Sequence, residues 1–188
     1  MRQNNIIHKS LGRVIASSGN FKIELLSHVG SDDFENLIQI SEVLSEQFGP
    51  DSKLTENTIQ LYFNRHGSLP FIARFENKII GFIIGVPIEI LKREPWALLD
   101  THYGKNNTLY TYAFVIESTY KGNGYAKMLK RVYLNWAKKQ INLKYVTGHV
   151  LTGIAKNFTG KVTILNQVTN WKNTNKIFEY YRRELDPF

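Results

Sequence analysis

One stretch, Thr108–Lys139 (TLYTYAFVIESTYKGNGYAKMLKRVYLNWAKK), constrains the fold more than any other. Leu109 to Ile116 is dense in aromatic and β-branched residues and carries no charge, the pattern of a strand buried on both faces. Further on, Tyr125, Met128, Leu129, Val132, Tyr133 and Trp136 recur at helical spacing. Lys127, Lys130, Arg131, Asn135, Lys138 and Lys139 take the opposite side. Between strand and helix lies Lys121-Gly122-Asn123-Gly124, where two glycines let bare backbone approach a ligand. The first-turn N–H groups of the helix point the same way, and the helix dipole favours negative charge there. Strand, glycine turn and helix N-terminus together predict an anion cradle. The alternative is a glycine turn that holds no ligand.

Two phosphate-binding motifs are excluded by inspection. A P-loop needs G-x-x-x-x-G-K-[ST], which does not occur. A dinucleotide fingerprint needs a small residue three positions after its second glycine, and Lys127 stands there. Lys121-Gly122-Asn123-Gly124-Tyr125-Ala126 instead resembles the acyl-CoA signature Q/R-x-x-G-x-G/A of the GCN5-related N-acetyltransferases, with Lys121 in place of Arg or Gln. The longer string Tyr120 to Leu129 looks like that family's strand-to-helix junction.

The charge distribution suits such a ligand. Residues 1–120 hold 11 Lys and Arg against 13 Asp and Glu, a net of −2, whereas residues 121–188 hold 13 against 3, a net of +10. The basic half begins at the cradle and matches a polyanion such as coenzyme A. The same basicity admits nucleic-acid binding, but no helix-turn-helix or RNP signature occurs, and the helix lysines form a solvated stripe. The chain has no cysteine, which rules out disulfides, thiolate catalysis and cysteine-ligated zinc. The opening MRQNNIIHKSLGRV lacks an apolar core of signal-peptide length, and Ile79–Leu91 is interrupted by Gly81, Gly85, Pro87 and Glu89. A cytoplasmic, non-membrane, metal-free protein of one domain over 1–188 is expected.

In chain order, residues 1–20 read as a loose arm with a short strand around Arg13–Ala16, and Phe21–Val29 as a strand. Ser31-Asp32-Asp33 offers N-cap chemistry for a helix ending at Gly49-Pro50, and a second helix covers Thr55–Asn64. Phe71–Phe75 and Ile79–Ile88 are strands joined by a turn at Glu76-Asn77-Lys78. Leu91–Asn107 is a long irregular connection of the kind that carries function. After the central strand and helix come a strand at Lys144–Val150 and a short helix at Gly153–Phe158. A closing hairpin of Lys161–Trp171 and Lys176–Leu185 turns at Asn173-Thr174-Asn175.

This order, β, α, α, β, β, β, α, β, short α, β, β, is similar to that of the acetyltransferase family. The resemblance implies an α+β fold with a mixed, mostly antiparallel sheet of about seven strands. In it strands four and five splay apart around the pantetheine of acetyl-CoA. It places pantetheine against Phe114, Val115 and Ile116, and the pyrophosphate on the amides of Lys121, Gly122, Asn123, Gly124, Tyr125 and Ala126. The implied chemistry is direct attack of an amine on the thioester, the oxyanion being held by backbone N–H groups.

Catalytic residues are less marked. Glu117, just past the strand, is a candidate base or a plain turn carboxylate. Tyr110 lies near the position of a strand-four glutamate in some relatives, and it shares a strand face with Tyr112. His149, at the end of the fifth strand, is titratable. Relatives donate the thiolate proton from a tyrosine in N-x-x-A-x-x-x-Y, but here Thr152–Phe158 ends in Phe158, leaving Tyr180 or Tyr181 as substitutes. Trp96, Tyr103, Trp171, Glu94 and Asp100 are the groups to watch for an amine. The expected partner is a small-molecule or peptide amine, with a homodimer left open. Two further readings are a non-catalytic acyl-CoA sensor and a basic nucleic-acid module.

Overall fold

The computed structural model describes residues 8–185. Its single sheet has eight strands, one more than expected, in the order β1-β2-β3-β4-β5-β6-β8-β7. The additional strand is Leu11–Ser18 (β1), which pairs antiparallel with Phe21–His28 (β2) over nearly its whole length. It covers backbone groups that would otherwise leave β2 as an open edge. The short strand foreseen around Arg13–Ala16 is therefore present and longer, running from Leu11 to Ser18, and residues 1–7 lie outside those described.

Ser31–Phe48 forms α1, but Ser31, Asp32 and Asp33 do not cap it as expected. Gly30 is the N-cap, and the three polar side chains bind groups outside the helix instead. Ser31 Oγ accepts from the His8 amide at 3.0 Å, and Asp32 Oδ1 from the Ser10 amide at 2.9 Å. Asp33 pairs with Arg74 at 2.6 Å. The second expected helix is one α turn, Glu56–Thr58 (α2), held by a reciprocal Thr55–Thr58 capping box, followed by a π turn at Ile59–Phe63. The wider turn leaves both Ile59 and Phe63 buried.

Leu69–Phe75 (β3) and Lys78–Pro87 (β4) join through Glu76 and Asn77, both at positive φ, in a two-residue turn whose twist suits the hairpin. Pro95–Leu98 (α3) sits in the long connection, followed by Thr108–Ile116 (β5) and Tyr125–Lys138 (α4). Tyr145–Leu151 (β6), Val162–Thr169 (β7) and Ile177–Glu184 (β8) complete the sheet. The closing hairpin is looser than foreseen. Its strand ends at Thr169, and residues 170–176 form a longer connection with Asn170, Lys172, Asn173 and Asn175 at positive φ. Trp171 thereby leaves the sheet and turns inward.

Each face of the sheet carries its own core. On one, Leu37, Ile40 and Leu44 of α1 pack with Phe63, Phe82, Val86 and Val115. On the other, Leu129, Tyr133 and Ala137 of α4 pack with Phe71, Ile80 and Ile83. Gly85 permits the close approach of α4, because a Cβ there would run into the Tyr133 hydroxyl and Leu109. Two irregularities in β5 matter for function. The register skips between Ile84↔Ala113 and Gly85↔Thr111, so Tyr112 bulges without a partner. And β5 pairs in parallel with β6 only at Thr108–Tyr145, Leu109–Val146 and Tyr110–Thr147.

Candidate active site

Beyond Tyr110 and Thr147, β5 and β6 diverge, and a cavity of about 310 Å³ opens between them. It reaches both layers: Leu44, Phe48 and Trp96 border it on the α1 side, and Lys130, Tyr133 and Leu134 on the α4 side. The divergence leaves one edge of β5 without a ladder partner along Phe114, Val115 and Ile116. Such an edge can pair with an extended amide-bearing chain.

The cradle lies just past that edge. Gly122 and Gly124 adopt φ of 86° and 78°, where a side chain is strained, and open space lies beyond each. Asn123 Nδ2 donates to the Tyr120 carbonyl at 3.2 Å and holds the loop. Met128 N–H donates to the Gly124 carbonyl at 3.0 Å, so the amides ahead of it have no acceptor within α4. No acidic residue occupies the first turn. Tyr125 stacks on Phe21 at 4.3 Å and anchors the helix start, while Lys121, Asn123 and Ala126 remain exposed.

Of the catalytic candidates, the fold brings two together and leaves one apart. Tyr110 Oη lies 3.0 Å from His149 Nδ1, and both residues are buried at the cavity. Tyr110 and Tyr112 share the α1-side core, as strand alternation and the bulge together require. Glu117 pairs with Lys78 at 3.2 Å and does not border the cavity. His149 is enclosed by rings: Trp171 stacks at 4.0 Å, Tyr180 at 4.7 Å, and Trp96 meets it edge-on at 4.8 Å. Burial, with a smaller contribution from Lys172, pushes its pKa down to about 3. With Tyr110 as donor, the imidazole proton resides on Nε2, a buried atom without a partner among the described residues.

This has a testable consequence. The imidazole is neutral in the folded protein at pH values where it would charge in the unfolded chain. The unfolded state then binds the extra proton, so stability falls as pH drops from about 6.5 toward 3. The His149 ring resonances followed by NMR should show no titration between about pH 5 and 8, where an ordinary histidine moves fully.

Behind the ring cluster stands Asp100. Its side chain is fully buried, with Arg182 at 2.7 Å, the Tyr180 hydroxyl at 2.6 Å and the His102 amide at 2.7 Å. Burial alone would raise its carboxyl, yet these three donors outweigh it and hold it below the usual aspartate value. Tyr180 is thus committed to Asp100, whereas Tyr181 borders the cavity from the α4 side. Also on that side, the Tyr133 hydroxyl lies 3.2 Å from Thr111 Oγ1. Lys130 Nζ lies 3.4 Å above the Phe158 ring, and burial together with nearby Arg183 lowers it to about 8.

Of the groups singled out for an amine, Glu94, Trp96 and Trp171 border the cavity. Tyr103 is turned toward the Glu89 carbonyl. Lys130, Lys172 and Arg183 also border it; the sequence placed Lys130 on the solvated face of the helix, whereas it lies over Phe158 at the cavity, and nothing in the sequence marked the other two. Each is a single basic residue in an ordinary polar pattern, and only the fold brings them to one cavity. Gly153–Phe158 contributes a 3₁₀ turn, Ala155–Asn157, and no full helix. Among the described residues no cluster of three His, Asp or Glu could hold a metal ion, and no helix is long and apolar enough to cross a membrane.

Comparison with known proteins agrees with this architecture. No curated protein sequence matches at a significant level. Among solved structures, the ribosomal-protein-S18-alanine N-acetyltransferase from Escherichia coli superposes with a TM-score of 0.59 at 10% identity, covering 89% of this chain and 96% of its own. NAA60 from Arabidopsis thaliana, solved with a bisubstrate analogue, gives 0.60 at 15% identity, with coverage of 82% and 93%. A spermidine N-acetyltransferase chimera from Vibrio cholerae and hSSAT gives 0.58 at 14% identity, with 87% and 95%. At these identities the likeness is one of fold. The model of the acetyltransferase (GNAT) family matches residues 36–155, which span α1 through the splayed strands to Ala155. With that match over most of its length, the chain belongs to the GNAT acetyltransferase family.

Proposed function

We propose that the protein transfers an acetyl group from acetyl-CoA to the primary amine of a small-molecule or peptide acceptor by direct attack. The observation that carries this reading is the continuity of three features: the unpaired edge of β5, the bulge at Tyr112 and the glycine cradle before α4. Pantetheine pairs with the backbone of Phe114, Val115 and Ile116. The pyrophosphate rests on the amides from Lys121 to Ala126, with Gly122, Asn123, Gly124 and Tyr125 supplying unobstructed N–H groups. Lys121 keeps the charge of the usual arginine but not its planar fork, a small loss where amides do most of the binding. The thioester then lies at the bulge, whose irregular backbone offers N–H groups to the developing oxyanion.

The acceptor enters from the α1 side. Its nitrogen attacks the carbonyl carbon, the C–N bond forms, and the C–S bond breaks as the thiolate takes up a proton. Burial raises Tyr110 well above the usual tyrosine value, so it stays a phenol: it can turn its O–H from His149 to hydrogen-bond the departing sulfur, while the proton that neutralises the thiolate comes from the attacking nitrogen. His149 stays neutral and orients it through Nδ1. Glu117, held by Lys78, has no part in this scheme.

Calorimetric titration of acetyl-CoA and CoA tests the first half, with micromolar binding expected. Thiol release in the presence of an amine panel tests the second. Tyr110→Phe should lower kcat by roughly tenfold to a thousandfold with little change in acetyl-CoA affinity. An absence of binding at millimolar ligand would refute the reading. Binding without turnover on any amine would favour the acyl-CoA sensor.

A further inference from the structure

On its α4 side the cavity wall carries a lysine that the acetyl-transfer scheme does not use. Lys130 borders the cavity together with Tyr112, Ala113 and Phe114 of β5. The register of α4 against β5 fixes its height. Tyr133 Oη lies 3.2 Å from Thr111 Oγ1, one residue before the bulge. Because β5 and β6 are parallel, α4 between them runs back along β5. Lys130 precedes Tyr133 by one helical turn on the same face, ~4.5 Å nearer the cradle. At ~3.3 Å per strand residue, that sets Lys130 level with Tyr112 and Ala113.

Its surroundings leave the amine weakly held. Nζ rests on the Phe158 ring at 3.4 Å, and the Arg183 guanidinium reaches the same ring at 5.5 Å. Lys130 takes part in no ion pair among the described residues. The other ionisable groups of the cavity on this side are Tyr133 of α4 and Tyr181 and Arg183 of β8. Glu179, next on that face of β8, does not border the cavity, and neither does exposed Lys156 in the turn before Phe158. Glu94, the only carboxylate residue that does border it, is tied to Trp96 on the α1 side. Burial, and then the like charge of Arg183, therefore favour the neutral amine and lower it to about 8.

We infer that Lys130 is a self-acetylation site, modified in place by the acetyl-CoA bound in the same chain. The inference rests on the acetyl-transfer reading above and adds an acceptor within the protein itself. A planar thioester lying in the split presents one face to each layer. The outside acceptor meets the α1 face, and Lys130 meets the α4 face. The amine, having released a proton to solvent, attacks the thioester carbonyl carbon. The C–N bond forms, the C–S bond breaks, and the surplus proton on nitrogen neutralises the thiolate. The products are Nε-acetylated Lys130 and free CoA.

Purified protein incubated with acetyl-CoA and no added amine should gain a single acetyl group per chain by intact mass. Trypsin does not cut after an acetylated lysine, so the modified chain should release Met128–Arg131 uncut at Lys130. Lys130 should react at least roughly tenfold faster than exposed Lys127, because amine and thioester share one cavity. The rate should be independent of protein concentration and level off above about pH 8. An ordinary lysine would keep gaining rate toward about pH 10. Lys130→Arg should lose the adduct, and Gly124→Trp should lose it by failing to bind acetyl-CoA. Equal labelling of Lys127 and Lys130, undiminished labelling in Gly124→Trp, or a rate that scales with protein concentration would overturn the inference. So would an unmodified Lys130 in protein that binds acetyl-CoA by calorimetry, a result that leaves the acetyl-transfer reading standing. Absence of acetyl-CoA binding would remove both.

Discussion

Gly124→Trp is expected to abolish acetyl-CoA binding, weakening it at least about a hundredfold, because bulk is placed where the proposed site sets amides against the pyrophosphate. Gly124 is the N-cap of α4 at φ 78° and ψ −2°, with open space where a side chain would project. That space is the room a ligand needs. The substitution also imposes about 1–2 kcal/mol of left-handed strain. Gly104 separates the two effects, since it has φ 82° and equally open surroundings but lies far along the chain from the cradle. Gly104→Trp should lose comparable stability and keep its affinity. Calorimetric titration with thermal melts of both variants checks this, and equal losses of affinity would refute the cradle.

The second large effect is on the buried ion pair. Asp100→Ala should destabilise the protein by about 3–5 kcal/mol, because it leaves Arg182 without its charge partner in a buried setting. It also strands the Tyr180 hydroxyl and the His102 amide. Tyr180 stacks on His149, so the loss extends to the site, and turnover should fall more than acetyl-CoA affinity does. Asp100→Asn should be milder. The pH dependence has a defined sign. The carboxyl is held below its unfolded value, so its contribution is complete above about pH 4 and is lost as pH falls through the lower folded value. Denaturant titrations of wild type and Asp100→Asn from pH 7 downward should therefore converge at the acid end. Parallel curves would show that the carboxylate charge contributes little.

Much of this architecture was legible because local chemistry wrote it. The β5–glycine–α4 unit needs only alternation, two glycines and a 3.6-residue period, and its bounds came within a residue of expectation. Elsewhere local signals misled. Ser31-Asp32-Asp33 has N-cap chemistry, yet the three side chains bind His8, Ser10 and Arg74, partners distant in the chain. A helix was evident in Thr55–Asn64, but not its π turn, which packing of Ile59 and Phe63 selects. Trp171 read as the last residue of a strand, and the positive-φ connection around it carries it to His149.

The sequence by itself determined most of the order of elements, the strand–glycine turn–helix unit and the family, because each rests on residues adjacent or periodically spaced in the chain. The tertiary structure alone decided which polar residues come together at the cavity and behind it. Tyr110 meets His149 across 39 positions, and Tyr180 meets Asp100 across 80. Such pairs carry no local signature, since any strand tyrosine or histidine has the same propensity whether it faces a cavity or a core. The bulge at Tyr112 and the three-residue limit on β5–β6 pairing arise from strand register, a property of two chain segments at once, and that register opens the cavity between the two strands.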